Sequence, residues 1–228
     1  MAVRGMDRGE LLVQLKSAKL YGILDMGYVD ASALEGVADS LLSGGAGVLQ
    51  LRAKGYDAKG VARLIKESAP RLGEMCRAHK VPFIVNDFPD VALSVGADGV
   101  HIGQHDGSLN DARAVVGHEM IVGRSTHSLS QAHAAHQEGF DYIGYGPLFP
   151  TPTKEGRPAI GLENIHTVQE SVGKDIPVFC IGGIKPDNLE LVLASGAQRV
   201  VIVSALLQAA DVIKATQSVV NTLMTDHS

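Results

Sequence analysis

The sequence of 228 residues predicts an α/β fold and, within that class, a (β/α)8 TIM barrel. Three observations predict it: eight short apolar runs, helix-like segments between them, and polar or glycine-rich residues directly after the runs. Eight strands that alternate with helices over one span of about 200 residues are typical of this barrel. A doubly wound open sheet is the structural alternative, because the same alternation builds it.

Four of the eight runs share a pattern in which a glycine precedes a short apolar stretch. They are GAGVLQL from Gly45, GADGVHI from Gly96, GFDYIGY from Gly139 and GAQRVVIV from Gly196. Each glycine follows an amphipathic stretch, so it can end a helix in the left-handed conformation. Each apolar stretch then has the pattern of a parallel strand covered on both faces. The other four strand candidates are YGILDM near residue 21, PFIVND near 82, MIVGRST near 120 and IPVFCIGG near 176.

The segments between the runs have helical periodicity. Residues 33–43 place four apolar side chains at helical spacing, and residues 57–79 form a longer amphipathic segment. Residues 1–19 are expected to form an N-terminal arm or an extra helix. Residues 20–223 are expected to form one barrel domain, since no linker or shift in composition divides them.

The composition argues against several classes of protein. A formal net charge of -5 argues against a broad nucleic-acid-binding surface. Cys76 and Cys180 are the only cysteines, which argues against a disulfide framework or a thiolate metal site and fits a reducing compartment. The first residues lack a secretory apolar core, and the longest apolar stretch, VVIVSALLQAA, is too short to span a bilayer. We therefore expect a soluble, cytoplasmic protein.

Polar residues cluster at the expected ends of the strands. In (β/α)8 barrels the functional groups lie at the C-terminal ends of strands or in the loops that follow. After the second run, strand alternation predicts that Gln50, Arg52 and Lys54 point to one side. The other clusters are Asn86-Asp87, His101 to Asp106, Ser125 to His127, the loop at 146–157, Gly182-Gly183 and Val203 to Ala205. Each cluster alone fits an ordinary surface charge or helix cap, but their joint arrangement favours one functional site.

The types of residue in these clusters indicate anion chemistry. Asp87 and Asp106 supply the carboxylate oxygens that Mg²⁺ prefers, and substrate phosphates often complete such sites. The glycines after the seventh run and the helix start after the eighth are where barrels commonly bind phosphate. Arg52, Lys54 and Lys154 would then surround a polyanion. These groups predict one phosphate ester and one diphosphate as substrates.

The loop GPLFPTPTKEGR at 146–157 combines several prolines with Thr151, Thr153 and Lys154. The prolines limit its conformations and so lower the entropy lost when it orders over a ligand. Its hydroxyl groups and its ammonium group can bind phosphate oxygens. The loop is therefore expected to close over the ligand.

An ordered set of motifs over residues 20 to about 207 resembles the thiamin-phosphate synthase family: QLRAK, VND, DGVHIGQHD, GRSTH, DYIGYGPLFPTPTK, IGGI and VIVSA. The resemblance implies a Mg²⁺-dependent transferase that joins an aminopyrimidine methyl diphosphate to a thiazole ethyl phosphate. The aminopyrimidine would expel the diphosphate and leave a resonance-stabilised methylene cation, and the thiazole nitrogen would attack that cation.

The resemblance also implies a role for each matching residue. The pyrimidine diphosphate would contact Gln50, Leu51, Arg52, Ala53, Lys54, Asn86, Ser125 and Lys154. The thiazole phosphate would contact Thr151, Pro152, Thr153, Gly183, Val203 and Ser204. Asp87 and Asp106 would hold Mg²⁺, and Arg52, Lys54, Ser125 and Lys154 would be the catalytic residues. The implied partners are these small molecules and a possible second copy of the chain, but neither nucleic acid nor a membrane.

Two other functions stay open. A related thiazole tautomerase shares the barrel and a histidine near position 127, and it needs an acid/base residue but no diphosphate metal site. A non-catalytic sensor of thiamin phosphate would be expected to have lost the diphosphate ligands. The presence of Asp87, Asp106 and PTPTK favours the synthase over both.

Overall fold

The computed structural model describes residues 5–53, 58–151 and 158–225. Lys54, Pro152, Thr153 and Lys154, which the sequence predicts to contact ligand, lie outside this part of the chain. The eight predicted strands are all present and parallel, and they form a closed barrel in chain order. They are β1 (Leu20–Asp25), β2 (Val48–Arg52), β3 (Phe83–Asn86), β4 (Gly99–Ile102), β5 (Ile121–Thr126), β6 (Tyr142–Tyr145), β7 (Val178–Ile181) and β8 (Val200–Ile202).

The closure of the sheet distinguishes the (β/α)8 barrel from the doubly wound open sheet, the two architectures that the sequence allows. β1 pairs with β8 in parallel, with Leu20 opposite Val200 and Gly22 opposite Ile202. A doubly wound sheet would leave both of these strands at open edges. The prediction of a (β/α)8 barrel is therefore confirmed, and the open sheet is excluded.

Helices alternate with the strands and cover the outside of the barrel. They are α1 (Arg8–Ser17), α2 (Leu34–Ser43), α3 (Ala58–His79), α4 (Pro89–Ser94), α5 (Leu109–Val116), α6 (Leu129–Glu138), α7 (Ile165–Ser171), α8 (Pro186–Ala194), α9 (Ser204–Leu207) and α10 (Val212–Met224). No helix in the ranges that the structure describes is both long enough and apolar enough to cross a membrane. The division into an arm and one barrel domain stays a prediction.

The four glycines that the sequence predicts as helix terminators all have left-handed backbone conformations. Their φ angles are 98° at Gly45, 65° at Gly96, 92° at Gly139 and 99° at Gly196. They follow α2, α4, α6 and α8, and each leads into the next strand. Since a residue with a Cβ atom adopts this conformation only at a cost, glycine here ends each helix close to the strand it feeds.

The barrel has two apolar cores, one on each face of its strands. The larger core lies between the strands and the surrounding helices and includes Leu24, Leu49 and Leu51. The smaller core fills the inside of the barrel with side chains such as Ile84, Tyr142 and Phe179. This division follows from the alternation of side chains along each strand.

Helix α1 closes the N-terminal end of the barrel. Its Leu11 and Leu15 are buried within the inner core. Arg8 donates to the Met120 carbonyl oxygen at 3.1 Å and forms an ion pair with Asp141, and both partners lie just before strands β5 and β6. Helix α1 thus covers the end of the barrel at which the strands begin.

Candidate active site

Two adjoining cavities lie at the C-terminal ends of the strands. The larger, of about 390 Å³, is bounded by β5 to β8 and the loops that follow them. The smaller, of about 50 Å³, extends into the barrel and receives side chains from all eight strands or the residues just after them. Residues that line both cavities are Ser125, Gly144, Ile181, Val201 and Val203. The two cavities are therefore neighbouring compartments of one mouth.

Four of the predicted diphosphate contacts line the smaller cavity: Gln50, Arg52, Asn86 and Ser125. Gln50, Arg52 and Asn86 are all buried, with exposed fractions of 2%, 7% and 7%. The common orientation of Gln50 and Arg52 follows from their spacing of two along β2. The Nδ2 atom of Asn86 is buried and has no hydrogen-bond partner among the described residues. An unpaired buried donor costs about 1–3 kcal/mol, and an acceptor in the cavity would remove this cost.

Leu51 and Ala53 point away from the cavities. Their side chains are 0% and 4% exposed and pack in the outer core against the helices. The same alternation that brings Gln50 and Arg52 inward turns these two outward. Any contact they make with a ligand in the barrel would involve backbone atoms.

Asp25 is a member of the site that the sequence reasoning missed. Its Oδ2 atom accepts a hydrogen bond from Arg52 Nη1 in a buried ion pair, and its Oδ1 accepts from the Gly27 N–H at 2.9 Å. The two residues lie directly opposite each other in the β1–β2 register. Asp25 thus holds the guanidinium at the cavity and offsets its charge. The sequence signal was an aspartate that ends an otherwise apolar run.

A chain of hydrogen bonds crosses the base of the smaller cavity, and the sequence reasoning missed its two tyrosines. It joins Gln50, Tyr21, Tyr142, His101 and Ser125 through four contacts of 2.9 to 3.1 Å. Burial raises the pKa of both phenols above the ordinary value, so they remain protonated hydrogen-bond donors. The imidazole of His101 therefore faces Ser125 on one side and a phenol on the other.

The two predicted Mg²⁺ ligands lie on the loops that follow the neighbouring strands β3 and β4. Asp87 has a φ of 66°, and its N–H donates to the His101 carbonyl oxygen at 2.8 Å. Asp106 is exposed, and its carboxylate accepts from the Gly103 N–H at 2.7 Å. Over the described ranges, no cluster of three or more His, Cys, Asp or Glu side chains is arranged to hold a metal ion. A metal here would need water or substrate oxygens as ligands besides these two carboxylates.

The predicted phosphate contacts that lie within the described residues line the larger cavity. Gly183, Val203, Ser204 and Thr151 all border it. Gly183 has a φ of 68°, and a Cβ atom on it would lie 2.6 Å from the Phe149 Cβ. Glycine is thus required both by the backbone conformation and by the close approach of the loop that begins at 146.

Lys185 and His127 border the same cavity, although the sequence reasoning gave them no contact with the phosphate. Lys185 is exposed and adds a positive charge beside the glycines. The Nδ1 atom of His127 donates to the Gly146 carbonyl oxygen and so ties the end of β5 to the start of the proline-rich loop. Both residues come shortly after a strand in the sequence, and this position is the signal from which their place in the site could have been predicted.

The fold and the two cavities together define a class: a (β/α)8-barrel protein with a cavity lined by polar and glycine residues at the C-terminal ends of its strands. Residues 20–206 match the family model described as thiamine monophosphate synthase. That match spans most of the chain, and the chain belongs to this family. The resemblance of its motifs to thiamin-phosphate synthase is thereby confirmed.

Individual relatives agree with this assignment. A thiamine-phosphate synthase of Gloeobacter violaceus is 40% identical over 203 residues, which cover 89% of this chain and 57% of the relative. One from Thermus thermophilus is 45% identical over 170 residues, which cover 75% of this chain and 79% of the relative. The chain therefore spans little more than half the length of the Gloeobacter protein. A solved structure of thiamine phosphate pyrophosphorylase from Pyrococcus furiosus superposes with a TM-score of 0.79 at 35% identity, covering 93% of this chain and 99% of that one.

Proposed function

We propose that this chain condenses 4-amino-2-methyl-5-(diphosphooxymethyl)pyrimidine with a thiazole ethyl phosphate to give thiamin phosphate and diphosphate. One observation carries the proposal. A cavity with buried groups suited to a diphosphate adjoins a glycine-lined cavity suited to a phosphate ester. Family membership over residues 20–206 supports the same reaction.

The chemistry requires a leaving group to be stabilised and two rings to be aligned. The bond between the pyrimidine methylene carbon and the diphosphate oxygen breaks, and its electron pair leaves with the diphosphate. The lone pair of the thiazole nitrogen then forms the new carbon–nitrogen bond. Since neither step needs a protein nucleophile, positioning and electrostatic stabilisation carry the catalysis.

Three described residues are assigned to the departing diphosphate. Arg52 supplies positive charge, while Asn86 Nδ2 and the hydroxyl group of Ser125 supply hydrogen bonds. Hydrogen bonds to an ionised acceptor are shorter and about twice as strong as neutral ones, so they favour the developing anion. The removal of one such donor is expected to raise the barrier by about 2.7–4 kcal/mol, by analogy with an oxyanion hole. Lys54 and Lys154 are proposed to add charge from the segments outside the described residues.

Asp87 and Asp106 are proposed to hold Mg²⁺ together with the diphosphate. Their carboxylates fit a hard cation, and the left-handed backbone of Asp87 is of the kind that clusters at functional sites. Mg²⁺ when bound supplies charge neutralisation at the diphosphate oxygens. The protein's own part is to hold both carboxylates at the ends of adjacent strands.

The larger cavity is proposed to bind the thiazole phosphate. Gly183, Val203, Ser204 and Thr151 would supply backbone N–H and hydroxyl donors. Because α9 spans only Ser204–Leu207, its dipole contributes less than a long helix would, and direct hydrogen bonds are the main source of affinity. Pro152 and Thr153 are proposed to complete this end of the site.

The test mixes purified protein, Mg²⁺ and both precursors, and it measures diphosphate and thiamin phosphate by chromatography. We expect both products in equal amounts, none of them in chelated buffer, and loss of activity in folded Asp87→Ala and Asp106→Ala variants. Proton exchange on the thiazole carboxylate phosphate without condensation would instead identify a tautomerase that uses His127. Binding of thiamin phosphate without turnover would identify a sensor.

The cellular location of the protein and its self-association stay predictions. A cytoplasmic location fits the reducing environment that the two buried, unpaired cysteines, Cys76 and Cys180, would need. Self-association is to be measured by light scattering of the purified chain. Small-molecule substrates follow from the proposed reaction.

A further inference from the structure

A continuous line of hydrogen bonds connects two residues assigned to the diphosphate substrate. Gln50 Nε2 donates to the Tyr21 hydroxyl oxygen at 2.9 Å, and the Tyr21 and Tyr142 hydroxyl groups are 2.9 Å apart. The Tyr142 hydroxyl lies 3.1 Å from His101 Nδ1, and His101 Nε2 lies 2.9 Å from Ser125 Oγ. All five side chains line the smaller cavity.

The direction of these bonds follows from counting protons. An amide nitrogen only donates, so Tyr21 accepts from Gln50. The other contact of the Tyr21 hydroxyl is with the Tyr142 oxygen, so the single proton of Tyr21 is directed to Tyr142. Tyr142 in turn directs its proton to His101 Nδ1, which accepts it. A neutral imidazole that accepts at Nδ1 carries its proton on Nε2, and this N–H donates to Ser125 Oγ.

Packing holds the two phenols in this line. The Phe179 ring meets both tyrosine rings edge-on, with centroid distances of 5.2 Å to Tyr21 and 5.9 Å to Tyr142. Tyr142 also lies so close to Gly123 that a Cβ atom there would be 2.1 Å from its Cζ. The rings are thus confined on several sides, which fixes the positions of their hydroxyl oxygens within this line.

We propose that Tyr21, Tyr142 and His101 are positioning residues that commit the Ser125 hydroxyl group to donate its proton to the departing diphosphate. Because His101 Nε2–H occupies a lone pair of Ser125 Oγ, the serine proton is directed away from the imidazole. The same arrangement means that His101 does not act as a base toward Ser125, although the two are in contact. The donation from Ser125 to the diphosphate rests on the proposed function. The direction of the hydrogen bonds from Gln50 to Ser125 does not depend on it.

The direction is measured without any substrate. Long-range ¹⁵N–¹H NMR spectra of the labelled chain distinguish the two neutral imidazole tautomers and the doubly protonated ring. His101 signals are assigned by their loss in His101→Gln and, if that variant does not fold, by their shift in Tyr142→Phe. We expect the proton on Nε2 with Nδ1 unprotonated. A proton on Nδ1, as a reversed Gln50 amide would produce, or a proton on both nitrogens, overturns the proposal.

The consequence for Ser125 is measured by a double-mutant cycle. Tyr142→Phe keeps the ring and removes the hydroxyl group, whereas Tyr145→Phe makes the same change on the same strand but in the outer core. We expect Tyr142→Phe to lower kcat about tenfold, a factor within the range for one ordinary hydrogen bond, and Tyr145→Phe to leave it unchanged.

The decisive comparison is made in the Ser125→Ala background. If Tyr142 acts through Ser125, the added Tyr142→Phe change lowers kcat by less than about twofold there, because coupled residues are not additive. An equal loss in both backgrounds would mean that Tyr142 acts on the barrel in general, and it overturns the proposal. If the wild-type chain makes no thiamin phosphate at all, the proposed reaction fails while the tautomer measurement still decides the bond direction.

Discussion

The buried pair between Asp25 and Arg52 gives the most quantitative prediction. The side chains of Arg52 and Asp25 are only 9% and 3% exposed, so removal of one charge leaves the other largely desolvated. Breaking a buried pair in this way costs about 3–5 kcal/mol. Asp25→Asn keeps the shape and an acceptor for the Gly27 N–H, so we expect the lower end, a loss of about 3 kcal/mol in the free energy of unfolding.

The assay is urea unfolding followed by circular dichroism, with and without Mg²⁺ and inorganic diphosphate. Diphosphate is expected to replace the missing carboxylate as the counter-charge of Arg52, so it should bind the Asp25→Asn variant more tightly than the wild type. A ligand at 100 times its Kd stabilises a protein by about 2.7 kcal/mol. The variant should therefore gain more stability from diphosphate than the wild type gains at the same concentration.

The matched control is Glu67→Gln, which removes the acidic partner of Arg63 in an exposed pair on α3. Exposed pairs contribute little to stability, so no change in the unfolding midpoint is expected. A loss below about 1 kcal/mol in the free energy of unfolding of Asp25→Asn would refute a stabilising role of the buried pair, because exposed ion pairs contribute that little. Equal stabilisation of wild type and variant by diphosphate would refute the contact between Arg52 and that anion.

Three further predictions follow from the packing. Gly123→Ala should lower the melting temperature, because its Cβ atom would lie 2.1 Å from Tyr142 Cζ, whereas Gly36→Ala on α2, with no atom within 4 Å, should not lower it. Asn86→Ala should weaken diphosphate binding in calorimetry with little loss of stability, since the Nδ2 atom it removes has no partner among the described residues; a large loss of stability would contradict this. Leu15→Ala should cost about 2–5 kcal/mol in urea unfolding, because the side chain is fully buried at the closed end of the barrel; an unchanged midpoint would show that α1 does not support the inner core.

The fold could be predicted because one local structural pattern recurs along the sequence. A helix, a left-handed glycine and a short apolar strand recur, and all four predicted glycines have the expected conformation. Local backbone chemistry of this kind is readable from neighbouring residues. The closure of the sheet was harder to predict from the sequence, because it depends on the pairing of β1 with β8, which lie almost a whole chain length apart.

Residues that line the cavities could be predicted from their positions at strand ends, and alternation along a strand gave the direction of their side chains. Gln50 and Arg52 point inward together as their spacing requires, and the same rule applied to Leu51 and Ala53 turns their side chains outward. Asp25 could not be assigned a partner from the sequence, because its pairing depends on the β1–β2 register.

The tyrosines were missed for a different reason. Tyr21 and Tyr142 lie within apolar runs and do pack in the inner core, so their sequence context indicates only burial. Their hydroxyl groups meet because opposite sides of a closed barrel approach each other across its interior. That proximity joins residues 121 positions apart and leaves no local trace in the sequence.

The central claim is that groups from distant strands act together on one pair of anions in a single mouth. A crystal structure of the chain with Mg²⁺, diphosphate and thiamin phosphate tests it most directly. We expect the diphosphate to contact Arg52, Asn86 and Ser125, and the phosphate ester to lie beside Gly183 and Ser204. Density for these anions on another face of the barrel, with the mouth empty, would contradict the account.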